Sequence, residues 1–162
     1  MNVLKTVNLL VGIVLIILLV VAGVYLNKLV NKDPVKQNTA VFLKSNPACD
    51  LNKQGCVASI NHQSVELRFK PAVKYLTRFG IEVVTSGFNA GMLETMNVNF
   101  TMTGMQMGFN RFSLKKTQKK NVWQGMAILP VCVSGRKDWR VELSFGNSES
   151  SFTAIYKLVV GD

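Results

Sequence analysis

Sulfur is the chemistry-bearing element of this sequence. Met102, Met105 and Met107 fall within six residues, and Cys132 follows in the stretch LPVC. Thioethers and thiolates are soft donors that select Cu(I) over harder cations. A strand end and its turn that brought Met105 and Met107 together, with Cys132 delivered beside them and Met102 as a further donor, would make a Cu(I) site. Packing explains the same residues and is the leading expectation. Met102 belongs to the core register of its strand, while Met105 and Met107 fill an irregular gap as flexible apolar side chains. His62 is the only histidine and lies far upstream, so the paired Met and His ligands of known periplasmic copper carriers are missing.

Cys49 and Cys56 bracket CDLNKQGC, a short polar loop with Gly55 as a turn residue. A disulfide between them fits an oxidising space, and closing the loop would restrict the unfolded chain by about 2.5 kcal/mol. Two free surface thiols are the alternative. A metal pair is a third, although C-x6-C is not a usual zinc spacing. Cys132, flanked by Val131 and Val133 in a strand buried on both sides, reads as a core thiol whose apolar setting raises its pKa. Pairing with Cys49 or Cys56 and a reactive thiol are its other readings.

No catalytic arrangement is visible, and an enzyme is not expected. His62 alone could serve a Ser-His-Asp site, no serine stands in a nucleophile-elbow string, and no phosphate-cradling glycine pattern occurs. The few acids form no close pair for general acid and base work.

The elements that must position these residues come in two parts. Residues 6 to 26, TVNLLVGIVLIILLVVAGVYL, contain no charge. As a helix they would reach about 31 Å, against a hydrocarbon core about 30 Å thick. Lys5, Lys28, Lys32 and Tyr25 stand where interface anchors belong. Residues 1 to 30 are expected to be an uncleaved signal anchor that meets the lipid bilayer through 6 to 26. A cleaved signal peptide, with Val20 and Ala22 at the cleavage site, is the alternative. The lysines on either side do not decide orientation, but a long folded domain translocates largely regardless of charge, and the cysteines favour the outside. The expectation is a single-pass membrane protein with its C-terminal domain outside the cytoplasm. Residues 31 to 48, with two prolines and no sustained period, read as a linker.

From 49 to 162 alternation dominates. Val65, Leu67 and Phe69 share one parity, as do Met96, Val98, Phe100 and Met102, then Trp139, Val141, Leu143 and Phe145, and finally Phe152, Ala154, Tyr156, Leu158 and Val160. Each set lines one face of a half-buried strand, and turn signals such as Gly104, Ser134-Gly135 and Gly146-Asn147 separate the runs. About seven strands are expected, near 57–61, 64–70, 80–86, 94–103, 110–116, 122–133 and 138–145, with a closing strand near 151–159. Residues 70 to 79 suit a helical turn or a bend between sheets. Such a chain is mainly β, and an immunoglobulin-like antiparallel β-sandwich is the expected fold, with an open barrel as the runner-up.

The 162 residues carry a net charge of +10. Beyond residue 32 sixteen Lys and Arg stand against nine Asp and Glu, a net +7. KKTQKK at 115 to 120 is the densest cluster and reads as a solvated hairpin loop, with anionic headgroups or an acidic partner as the functional alternative. Nucleic acid is not an expected partner of a tethered extracytoplasmic domain.

The string VNFTMTGMQMGFNRFSL, followed by WQGMAILPVCVSGRKDWRVEL, resembles the membrane-anchored proteobacterial proteins of the FixH and YtkA-like group. The resemblance covers roughly residues 49 to 145. It includes the paired early cysteines, the GMQMG turn, the LPVC stretch and the Asp-Trp after it. It implies one amino-terminal helix, a periplasmic immunoglobulin-like domain, and a role near copper handling or the assembly of respiratory oxidases. A membrane-protein partner follows from that role. The leading functional expectation is an interaction or assembly module, and the alternative is a Cu(I) carrier using the Met and Cys donors.

Overall fold

The computed structural model describes residues 12–25, 40–105, 110–132 and 134–161. They divide into two compact units, Met1–Gln37 and Asn38–Asp162. In the first, residues 12–25 form an α-helix with exposed apolar side chains. Fourteen residues reach about 21 Å, and no helix among the described residues is long and apolar enough to cross a membrane. The rest of the uncharged run, 6–11 and Leu26, lies outside the described residues.

Among the described residues the second unit has ten strands: β1 (Val41–Ser45), β2 (Cys56–Ile60), β3 (Gln63–Lys70), β4 (Arg78–Ser86), β5 (Thr95–Thr101), β6 (Arg111–Ser113), β7 (Lys115–Lys116), β8 (Val122–Ile128), β9 (Asp138–Gly146) and β10 (Ser151–Val159). A 3-10 turn, Ala90–Met92, precedes β5. The strands form one sheet in the order β6-β5-β9-β10-β1-β2-β3-β4-β8-β7. Every pairing is antiparallel except β1 with β10.

The sheet folds back on itself. In β1, Val41 to Leu43 pair with β10, while Lys44 and Ser45 pair with β2, so one short strand belongs to two leaves. The chain does the same at 111–116. There β6 pairs with β5, β7 pairs with β8, and the Leu114 amide between them donates to Met96 O at 2.8 Å. Between the leaves lies the core. The rings of Phe69 and Phe79, from one leaf, stand 5.8 and 5.9 Å from Phe100 of the other. The Tyr156 hydroxyl of β10 donates to Val65 O of β3 at 3.4 Å. Every member of the four alternating sets is buried, as their parity requires.

Differences from the expected strands have local causes. The strand expected over 122–133 stops at Ile128, and Leu129 makes only an isolated bridge to Tyr75. Pro130 has no amide to donate to a ladder. Cys132 therefore lies in a loop rather than in a strand. Residues 110–116 are two strands because the chain changes leaves at Leu114. Residues 41–45, inside the segment read as a linker, are β1, which pairs with the distant β10 as well as with the nearby β2. Residues 71–77 form neither a helical turn nor a crossing, since β3 and β4 are antiparallel neighbours in one leaf. In that loop Leu76 takes φ 57, a left-handed conformation that costs an ordinary L side chain roughly 1–2 kcal/mol.

Cys49 and Cys56 are joined in a disulfide with Cα atoms 5.9 Å apart. The bridge ties the start of β2 to the loop after β1, and both residues are buried. Cys132 remains the free cysteine.

Candidate functional site

Two loops at the ends of strands bring soft donors together. The first is the turn after β5. Met102 and Met105 form an isolated antiparallel bridge, and the Met105 amide donates to Met102 O at 3.1 Å. Gly104 takes φ 78, the left-handed conformation that a type II turn asks of its third residue. The turn reverses the chain so that Met102 remains in the core, 2% exposed, while Met105 sits at its margin.

The second loop runs from β8 to β9. The Gly135 amide donates to Cys132 O at 3.0 Å, which curls the chain around Cys132. The thiol is 5% exposed. Its sulfur lies 4.0 Å from Met105 Sδ and 3.0 Å from Ser134 Oγ, and Ser134 Oγ is 3.9 Å from Met105 Sδ. Thiol, thioether and hydroxyl thus converge from both loops.

Arg136 fastens the two loops to each other. Its Nη1 donates to Thr103 O, within the methionine turn, at 2.9 Å. Its Nε and Nη2 hold both carboxylate oxygens of Asp138 at 2.9 and 2.6 Å. The planar fork of the guanidinium grips the carboxylate with two parallel bonds and leaves another N–H for the carbonyl. Behind it, Trp139 Nε1 donates to the Tyr75 hydroxyl at 3.3 Å, and that hydroxyl donates to Arg136 O at 3.2 Å. The loop that holds Cys132 is therefore fixed from a buried indole outward.

The electrostatics differ from those of an inert core thiol. Hydrogen bonds from the Ser134 side chain and then its backbone amide hold the Cys132 thiol below its usual pKa, and the Arg136 amide and charge add to the effect, against the opposing cost of burial. The expectation of a raised pKa is corrected for this reason: the sulfur is buried, but donors face it. Asp138 is likewise held below the usual carboxylate range, chiefly by Arg136.

The sequence-predicted donors separate into three groups. Met105 and Cys132 are brought together. Met102 packs in the core and supports the turn through its backbone. Met107 lies outside the described residues. His62 sits in the exposed turn between β2 and β3. Among the described residues no three His, Cys, Asp or Glu side chains gather as a metal-binding group, so any ion held here depends on sulfur. The two sulfurs stand 4.0 Å apart, the spacing of two legs of a trigonal site with metal–sulfur bonds of about 2.3 Å, and the third leg would need a further donor. Ser134, Arg136, Asp138 and Tyr75 did not enter the expected site. Ser134-Gly135 is legible only as a turn, and nothing in the sequence pairs Arg136 with Thr103.

Compared with protein-family models, with curated proteins and with solved structures, the chain matches none.

Proposed function

We propose that the chain is a membrane-anchored periplasmic module, an immunoglobulin-like β-sandwich, that holds Cu(I) between Met105 and Cys132 for the assembly of a respiratory or other copper-dependent membrane complex. One observation carries the metal assignment: the Cys132 sulfur, 3.0 Å from Ser134 Oγ, stands 4.0 Å from the Met105 thioether, across two loops that Arg136 fastens together. A thiolate beside a thioether is a soft pair suited to Cu(I). When bound, the ion would be cargo, held without redox change and released to a partner with more donors. Ser134 would turn its hydroxyl to the thiolate, and the near-complete burial of Cys132 would slow its oxidation.

Anchoring rests on the uncharged run 6–26, flanked by Lys5 and Lys28. The Cys49–Cys56 disulfide supports an oxidising compartment. The resemblance to the FixH and YtkA-like group supports both the sandwich type and the assembly role.

Anaerobic titration of the purified full-length protein against a coloured Cu(I) chelator tests the metal site. A 1:1 complex is expected, and Met105→Leu, which keeps the volume but removes the sulfur, should weaken it about tenfold, on the scale at which even outer-shell changes act on bound metals. Equal affinity of the variant would remove Met105 from the site. Alkaline carbonate washing of membranes tests the anchor. The protein should stay in the pellet, and release into the supernatant would contradict a spanning segment.

A further inference from the structure

The outer face of the leaf that contains β4 and β8 carries an apolar patch with a cationic rim. Ile128 and Met126 of β8 lie opposite Arg78 and Gly80 of β4. Leu76, in the loop between β3 and β4, is joined to the end of β8 by its amide, which donates to Leu129 O at 2.9 Å. Leu76, Met126 and Ile128 are 70%, 59% and 40% exposed. Gly80 has no side chain to fill the face, and a groove of about 370 Å³ runs over it between Lys70 and Met126. Lys70, Lys74 and Arg78 are exposed around this surface. None of the three takes part in the ion pairs found among the described residues, Arg68–Glu66 and Arg136–Asp138. Glu82, the acid in the groove, is held by Gln124 Nε2 at 2.9 Å.

Leu76 adds a second, independent observation. A leucine held at φ 57 and turned to solvent gives up stability twice, through its backbone and through its apolar exposure. Strain of this kind gathers where a side chain has a task.

We propose that this patch rests on an anionic phospholipid surface, with Leu76, Met126 and Ile128 entering the boundary between headgroups and acyl chains and Lys70, Lys74 and Arg78 meeting the phosphates. A lipid interface matches both halves of the patch, burying the apolar area and attracting the cations. A wholly polar acidic surface would match only the cations. The inference rests on the membrane-anchor reading for one point, the nearness of a bilayer. Only the sequence from 27 to 39 separates the uncharged run from Ala40, a contour of about 50 Å at most. The KKTQKK cluster is a poorer candidate, because no exposed large apolar side chain accompanies it between 111 and 125.

Cosedimentation of the fragment 38–162 with vesicles tests the proposal. The core of that fragment is formed wholly by its own residues, so it folds by itself. It should bind vesicles containing about one third phosphatidylglycerol at low salt and leave pure phosphatidylcholine vesicles unbound. At about fivefold per cation, the combined change Lys70→Ala, Lys74→Ala and Arg78→Ala should weaken binding about a hundredfold. Leu76→Asn should also weaken binding severalfold while its melting temperature holds or rises, because Asn accepts the left-handed backbone. No binding to anionic vesicles would overturn the proposal. So would binding lost on neutralising Lys115, Lys116, Lys119 and Lys120 but kept by the triple variant. Binding unchanged by Leu76→Asn and matched on polyglutamate beads would overturn it in favour of an acidic protein partner. The fragment lacks residues 1–37, so these outcomes are distinct from a failure of the carbonate test of the anchor.

Discussion

Phe100→Ala is expected to lower the unfolding free energy of the β domain by about 4 kcal/mol, within the range of buried phenylalanine truncations. Phe100 is completely buried on β5. It meets Phe69 and Phe79 across the core at 5.8 and 5.9 Å, and Phe112 of the neighbouring β6 at 5.9 Å. Losing it removes the transfer energy of the ring and leaves a cavity whose walls are strands of both leaves. Ladders paired along their length cannot move inward easily to fill it. Urea titration should show a lower midpoint with an unchanged slope. A loss under about 1 kcal/mol would mean that the two leaves do not meet at this ring.

The combined change Cys49→Ala and Cys56→Ala is expected to cost about 2.5 kcal/mol, the loop-closure value for eight residues. Alanine introduces no polar atom at two buried positions, so the loss should reflect the missing cross-link. Treating the unchanged protein with a reductant should reproduce most of that loss in the same urea titration. Peptide mapping without reduction should recover residues 49 and 56 in one linked species. Finding both thiols freely alkylated in native membranes would contradict both the linkage and an oxidising compartment.

Much of the domain was legible because its strands are covered on one face. The parity of Val65, Leu67 and Phe69, and of Met96 through Met102, can be satisfied only by turning those side chains to one core, and the structure does so. Gly104 was legible as a turn for a related reason, since it supplies the positive φ that the reversal needs. The division of β1 between leaves was not. Its five residues pair with partners more than a hundred positions away on one side and close by on the other, and two prolines nearby give the segment the composition of a linker.

The site was legible by donor type but not by position. Met105 and Cys132 stand out in sequence because their sulfur is soft, and the fold does place them in contact. Cys132 also looked like a strand residue, because valines flank it and only Pro130 signals the break. Its lowered pKa depends on Ser134, a neighbour whose hydroxyl matters only once the loop curls. The Arg136 link to Thr103 is a contact between distant segments, and a single sequence carries no local signal for it.

The stretch 111–116 supplies the outermost strand of both leaves, with one leucine between them. The ribbon is thereby stapled end to end like a hoop, and neither rim can peel without tugging on the other. An open sheet border would invite neighbouring copies to add strand to strand into fibrils. A stapled rim discourages that growth and keeps individual copies free to diffuse.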